Sequence, residues 1–314
     1  MSRVEIDFRE TPNPDCMRCN QGTRKARCTN GLCNRISSTL DGAPLRCVGN
    51  WGQDKTRFLL QYLTIFANGM KKKFKGNLHY TEICSGPGRL IDFEAAREFD
   101  GTSIAFLNHP HAKHLTDATF IDIDSNALEV LQSRVEFLGL MGPKVYVRPG
   151  DYTSTESIDA ATSHLNGRGL HLLFIDPTDM SLPFSTVEHI VRRLGSVDLL
   201  INVAFGTDFV RNARRALEGD PSREKYERFI GSSGFFERPD VHKILLSSRM
   251  ENELKSALQA ELQLNLGALG YKFFDYQPVR HYYNLLFASK HQLGMKFWRE
   301  SLKYAPNSQL GLGF

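Results

Sequence analysis

Apolar residues recur at helical spacing from Gln53 to Met70, with Phe58, Leu59, Tyr62, Leu63 and Phe66 on one face, so an amphipathic helix is expected there. Past it the period changes. The cationic run Lys71-Lys72-Lys73-Phe74-Lys75 and the turn Gly76-Asn77 lead into short β-branched and aromatic runs. The first run breaks at the glycine turn within Tyr80–Arg89, and the next three are Ala118–Asp124, Lys144–Arg148 and Leu170–Pro177. A fifth is Asp198–Val203. An irregular stretch is expected from Arg89 to Gly101 and a helix from near Thr102, with further helices at 127–137 and roughly 155–165, 185–194 and 210–218. Strands alternating with helices predict an α/β fold with an open parallel sheet, whose ligands sit beyond the C-terminal strand ends.

Composition adds bounds. The chain has 314 residues, 41% hydrophobic and 24% charged, which is ordinary for globular protein and leaves room for one large core with an appendage. Residues 1–50 are read as a cysteine-rich segment and 51–314 as the main domain. A net charge of +4 does not mark the whole chain as a polyanion binder. No apolar run reaches membrane-spanning length and the first residues lack a signal-type stretch, so a cytoplasmic location is expected.

That location decides how the cysteines are read, since disulfides are rare in the cytosol. Cys16 and Cys19 form a C-x-x-C pair and Cys28 and Cys33 a looser one, which suits tetrahedral zinc. Cys47 is an alternative ligand, and an iron–sulfur cluster or free thiols are the competing readings. From Cys16 through Arg35 there are five Arg or Lys residues (Arg18, Arg24, Lys25, Arg27 and Arg35) and no acid, a dress that favours phosphate backbones or is simply a solvated basic face. A second basic cluster, Arg211, Arg214, Arg215, Arg223, Lys225, Arg228 and Arg238, marks an insertion at about 207–240. Together they make RNA or DNA the first expectation for a substrate, ahead of a protein or small-molecule amine.

Four acids, Glu82, Asp122, Asp151 and Asp176, stand at or near the ends of four successive expected strands. Gly86-Pro87-Gly88 lets a ligand approach the backbone, but Ile91 stands where a dinucleotide fingerprint needs its third glycine. A phosphate-binding Lys-Ser/Thr is missing as well. A carboxylate at the second strand end is what a ribose needs, with Asp122 the first choice and Asp124 the second, and Asp124 also reads as the cap of the following helix. Acids around the turn suit a cationic ligand better than a pyrophosphate.

These residues resemble the class I S-adenosylmethionine-dependent methyltransferases. The resemblance implies a Rossmann-like sheet of seven strands, the last one antiparallel, closed by the pair Tyr271–Val279 and His281–Ser289. It also implies S-adenosylmethionine held by Glu82, Ser85, Gly86, Gly88, Asp122, Asp124 and Asp151. The motifs Glu82–Gly88, Phe120–Asp124, Gly150-Asp151, Phe174–Pro177 and Asp198–Ile201 are similar to those of the three-Cys-motif partner family over roughly residues 50 to 300. That family acts with a radical-SAM-like protein, which implies such a partner. Asp176-Pro177 stands where amino-methyltransferases carry Asp-Pro-Pro-Tyr, implying that the two accept hydrogen bonds from a target amine. Here Thr178-Asp179 follows, so the stacking ring is absent and Phe184 or Phe205 is its expected substitute. The alternative is an inactive methyltransferase-like module that binds nucleic acid or protein beside a partner enzyme.

Overall fold

In the computed structural model, which describes residues 11–19, 32–139 and 142–304, the chain begins with a one-turn helix α1 (Pro14–Arg18) and two strands, β1 (Cys33–Ser37) and β2 (Pro44–Val48). Helix α2 (Trp51–Met70) follows, nearly as its apolar spacing predicts, and leads to β3 (Leu78–Ile83), buried along its whole length. The stretch after the glycine turn departs from expectation. It is a hairpin of β4 (Arg89–Asp92) and β5 (Arg97–Asp100), ahead of α3 (Thr102–Asn108).

The hairpin was hidden for a physical reason. Its strands have four residues each, with charges at both ends, and Arg89 pairs with Asp100 across the register at 2.9 Å. No apolar alternation survives in so short a strand. Its neighbour also comes from far away in sequence: β2 runs parallel to β4, giving a four-stranded sheet in the order β1-β2-β4-β5.

The remaining strands are β6 (Asp117–Asp122), β7 (Lys144–Pro149), β8 (Leu170–Ile175), β9 (Val197–Val203), β10 (Phe273–Val279) and β11 (Tyr283–Ser289). With β3 they make a seven-stranded, mostly parallel sheet in the order β7-β6-β3-β8-β9-β11-β10. Only β11 runs against its neighbours, as expected of the last strand. Counting within this sheet gives 3-2-1-4-5, the doubly wound order, closed by a 7-6 hairpin. On β7, Lys144 and Arg148 lie over the Tyr146 ring at 4.9 and 5.5 Å.

Connecting helices are α4 (Ser125–Leu138), α5 (Thr155–Ala161), α6 (Phe184–Leu194), α7 (Val210–Leu217), α8 (Arg223–Ile230), α9 (Pro239–His242), α10 (Met250–Ala268) and α11 (Gln292–Leu302). α10 falls where no element was expected, although Leu254, Leu258, Leu262 and Leu266 bury a stripe at i, i+4 spacing. No helix among the described residues is long and apolar enough to cross a membrane.

The chain divides into two compact units, residues 1–149 with 296–314 and residues 150–295. In the first, Trp298 is fully buried against Phe58 and Tyr62, with centroids 6.4 and 5.9 Å apart. The leader is anchored through Asn13, 1% exposed, which caps α1 with its oxygen and donates from Nδ2 to Ser37 O and Glu98 Oε1, both at 2.8 Å. Glu98, itself 1% exposed, also accepts from Thr39 N and the Ser38 hydroxyl. In the second unit the core is β8 and β9, with Leu172, Leu173, Phe174, Leu199 and Leu200 at most 1% exposed.

Burial alone would raise the Glu98 carboxyl, but the hydrogen bonds from Thr39, Ser38 and Asn13 outweigh it and hold the group below its ordinary 4.5. A depressed folded-state value means that this stabilisation is complete above pH 4.5 and is lost as pH falls through the lower folded value. Glu98→Gln is expected to cost about 1–3 kcal/mol at neutral pH. In urea unfolding followed from pH 7 to pH 3, the variant should converge on the wild type at the acid end; a constant gap would refute the linkage.

Candidate functional site

β3 alternates its side chains so that Tyr80 and Glu82 share a face. Tyr80 stacks on Phe106 of α3 at 3.8 Å and 12°. Glu82 is 0% exposed, with Oε2 accepting from Tyr80 OH at 2.8 Å and Oε1 from the Thr102 hydroxyl at the start of α3. The structure therefore turns this acid inward, where it pins α3 to the end of β3. It does not present it to a ligand as the strand-end pattern suggested.

The turn itself holds three left-handed residues: Cys84 at φ 68°, Gly86 at φ 59° and Gly88 at φ 82°. A side chain at such a φ costs about 1–2 kcal/mol, so Cys84 is held there by its surroundings. Ser85 N donates to Ile121 O at 3.0 Å and Gly86 N to Asp122 Oδ2 at 2.8 Å. Pro87 O accepts from Arg134 Nη1 of α4 at 2.7 Å, and Gly88 O from Gly101 N at 2.9 Å. The two glycines differ in what surrounds them. A Cβ on Gly88 would come within 2.7 Å of both Ile104 Cγ1 and Leu131 Cδ1, whereas one on Gly86 would meet only Arg46 Nη1, at 3.9 Å. The backbone at Gly86 is thus approachable. Beside it Ser85, 7% exposed, buries a hydroxyl with no hydrogen-bond partner among the described residues.

At the end of β6, Asp122 accepts from Gly86 N with one oxygen and from Asp124 N with the other, at 3.0 Å. Its carboxylate has lone pairs left for a diol. Asp124 caps α4, accepting from Asn126 N and Ala127 N, so the capping role is its observed one. Between the two acids Ile123 is 68% exposed, an aliphatic surface beside the turn that the acid pattern alone did not single out. In this unit Glu82, Ser85, Gly86, Gly88 and Asp122 come together, and Glu82 does so as internal support.

In the second unit Asp151 closes an Asx turn, accepting from Thr153 N and Oγ1 at 2.8 and 2.7 Å. Asp176 follows β8, and its partner is a residue not foreseen. Asn202 of β9, 1% exposed, donates from Nδ2 to Asp176 Oδ1 at 2.8 Å and lies 3.4 Å from Pro177 O. These are the two acceptors expected to receive a target amine. Asn202 Oδ1 is buried without a hydrogen-bond partner among the described residues. A bulged π-helical turn, Phe205–Phe209, leads out of β9, a geometry that recurs at functional sites. It places Asp208 to accept from Met180 N (3.0 Å), Lys225 Nζ (2.6 Å) and Tyr226 OH (3.0 Å). The loop after β8 is thereby fastened to α8. Burial and then Asp208 push the Tyr226 phenol up, so it remains a donor.

Two expectations for this unit are corrected. Phe184 and Phe205 are 8% and 1% exposed, and Phe205 carries Lys255 Nζ over its ring at 5.1 Å, so neither offers an open face to a base. The insertion at 207–240 is not a basic surface either, because its seven Lys and Arg residues stand against seven Asp and Glu. Lys225 pairs with Asp208, Arg223 with Glu237, and Arg238 with Asp240 and Glu261.

The zinc expectation fell on Cys16, Cys19, Cys28 and Cys33 with Cys47 as an alternative; Cys28 lies outside the described residues. Cys16, Cys33 and Cys47 are buried in one small cluster with Ile36, Leu45, Ile91 and Ala96, and Cys19 packs against it. Among the described residues no group of three or more His, Cys, Asp or Glu is placed to hold a metal ion.

No family model and no curated protein matches the chain. Similar solved structures include a magnesium protoporphyrin IX methyltransferase from Synechocystis PCC 6803 with bound SAH, at 13% identity over 78% of this chain and 89% of that one, TM-score 0.39. A SAM-dependent methyltransferase from Aquifex aeolicus gives 14% over 72% and 89%, TM-score 0.38. Protein LPL1258 from Legionella pneumophila str. Philadelphia 1 gives 11% over 82% and 93%, TM-score 0.43. Likenesses this distant carry no argument, and the fold assignment rests on the strand order.

The unequal surroundings of the two glycines predict unequal costs. Gly86→Ala should lose only the backbone penalty, about 1 kcal/mol. Gly88→Ala should lose a further 1–3 kcal/mol, roughly, through overpacking against Ile104 and Leu131. Urea midpoints of the two variants measure the difference, and equal midpoints would contradict the packing described.

Proposed function

We propose that this chain is an S-adenosylmethionine-dependent methyltransferase acting on an amine of a nucleic-acid base. The observation that carries the cofactor reading is the turn at Cys84–Gly88. It combines an approachable backbone at Gly86, a buried Ser85 hydroxyl lacking a partner, and an adjacent strand-end carboxylate followed by the exposed Ile123. A ligand with a ribose, a flat base and no phosphate fits that donor set, because the turn has neither a third glycine nor a lysine for a pyrophosphate.

When bound, S-adenosylmethionine supplies a methyl group activated on a sulfonium. Ser85, the Gly86 backbone and Asp122 would hold it, with Ile123 against the base. Glu82 acts indirectly, by fixing α3 and the turn. In the second unit Asp176 and the Pro177 carbonyl accept hydrogen bonds from the N–H groups of the target amine and so direct its lone pair. Asn202 holds the Asp176 carboxylate in place, and Asp208 fixes the loop behind it. Membership of the three-Cys-motif partner family, with a radical-SAM-like partner, rests on the motifs alone. Zinc on the leader thiols is a further part of the proposal: thiols gathered in one cluster have the right donor chemistry.

The second reading, a binding module without catalysis, is favoured by one observation. The Asn202 amide already donates to one oxygen of Asp176 and lies 3.4 Å from Pro177 O, the two groups an acceptor amine would need.

Calorimetry with S-adenosylmethionine is expected to give a saturable isotherm that weakens at least tenfold in Asp122→Ala, about 1.4 kcal/mol. Absence of heat at millimolar cofactor sinks the enzyme reading. Tritiated methyl transfer to total RNA and total DNA then tests the acceptor. Asp176→Ala should abolish transfer while leaving cofactor affinity within about twofold, and no transfer by the wild type despite cofactor binding favours the module. A zinc-to-protein ratio well below one would remove the metal claim.

A further inference from the structure

Three half-buried histidines follow α3, in the sequence His109-Pro110-His111-Ala112-Lys113-His114. They stack as a column, with ring centroids 5.4 Å apart from His109 to His111 and 5.8 Å from His111 to His114. The column lies along α2, and the match is one to one. Thr64 Oγ1 is 3.1 Å from His109 Nε2, Asn68 Nδ2 is 3.1 Å from His111 Nδ1, and Lys71 Nζ is 3.4 Å from His114 Nε2. Thr64, Asn68 and Lys71 follow i, i+4, i+7 spacing and are partly exposed on a helix that is otherwise largely buried. Lys71 also donates to Asn68 Oδ1 at 3.0 Å, which links the array.

Both segments carry only positive charge. Lys72, Lys73, Lys75 and Lys113 are exposed around the column. No acidic residue occurs from Lys55 to Thr81 or from Gly101 to Thr116. Asp117, the next acid, is buried and taken by His79 Nδ1 at 2.8 Å. A cationic helix end alone is an ordinary solvated surface. Here three polar rings are held in a column within it, and neither of the two segments that build it carries a carboxylate.

We propose that the end of α2 and the His109–His114 turn form a docking face for the phosphate backbone of a nucleic acid, separate from the glycine turn. The face borders the first residues of β3 and β6, with Thr116 N bonded to Leu78 O at 2.7 Å, whereas Gly86 follows the last residue of β3 and Asp122 is the last of β6. Six residues of strand put roughly 20 Å between the two places. Lysines supply long-range attraction and the imidazoles supply directed donors, with ring faces on which an unpaired base can stack. The assignment rests on the nucleic-acid part of the proposed function but needs no methyl transfer.

The imidazoles add a pH dependence. Burial and then His111 push His109 down to about 4, so it stays neutral and acts as the inner support. Burial, then Lys71 and Lys113, lowers His111; His114 is lowered by burial, Lys71, His111 and Lys113. A bound polyanion opposes those lysines and favours protonation, so binding strengthens as pH falls toward the lowered values of these imidazoles.

The test is fluorescence anisotropy with a labelled single-stranded RNA 20-mer, without cofactor, on the full-length protein. Lys72→Glu/Lys73→Glu is expected to weaken binding about tenfold at 0.1 M salt and to flatten the slope of log K against log salt by about 1.4. His111→Ala/His114→Ala should remove the gain in affinity between pH 7.5 and pH 5.5. Either variant binding as the wild type does, with its fold intact by circular dichroism, overturns the proposal. So does equal competition by polyglutamate or by anionic phosphatidylserine vesicles, which would make the face a general acidic-partner or membrane site. Tight RNA binding with no methyl transfer would leave this face standing and count only against the enzyme reading.

Discussion

The guanidinium of Arg134 joins three pieces of chain that are far apart in sequence. It binds Asp41 bidentately at 2.7 and 3.1 Å, Pro87 O at 2.7 Å and Pro44 O at 3.1 Å. A planar fork of five donors satisfies such a convergence of acceptors, and a lysine does not. Its side chain is 6% exposed, so the charge is stable there only because Asp41 and the carbonyls answer it. Burial would raise the Asp41 carboxyl, and the hydrogen bonds from Arg134 and Ala43 carry it below its usual range instead. The glycine turn consequently has its outer wall set by the leader, through Asp41 and Pro44, and its inner wall set by Glu82 and Asp122.

This arrangement explains which features could be read from residues alone. β6, β8 and β9 were legible because each is a run buried along nearly its whole length, and β7 because valines alternate with polar or aromatic residues from Lys144 to Arg148. The glycine turn and its acids were legible because a turn and a strand end are local events. Glu82 was found at the right place with the wrong orientation: sequence shows an acid before a glycine, but only Tyr80 and Thr102 show that its charge is satisfied inside. The β4–β5 hairpin and the hold of Asn13 on Glu98 were invisible, since their partners lie 85 residues away in the latter case. Asn202 was missed because an amide within an apolar strand carries no signal until its acceptors are known.

Charge is distributed against the first impression of the sequence. The stretch richest in arginine, around 207–240, is internally neutralised by its own acids and by Glu261. The modest lysine run after α2 gains weight because the fold brings to it a second segment that also lacks acids. Net charge gave no hint of either, and pairing decided both.

The cations over Tyr146 have a consequence for solubility. β7 and β10 are the two rims of the large sheet, and a rim strand exposes unmatched backbone donors and acceptors to any other strand in solution. On β7 the ring that would most readily cement such an encounter carries Lys144 and Arg148 over it, and Pro149 ends the strand. On β10, Asp275 and Pro278 interrupt an otherwise aromatic stretch. A second molecule laid against either rim would have to desolvate a charge or meet a proline that has no N–H to give. The sheet is thereby kept from growing beyond seven strands by the chemistry of its outermost residues.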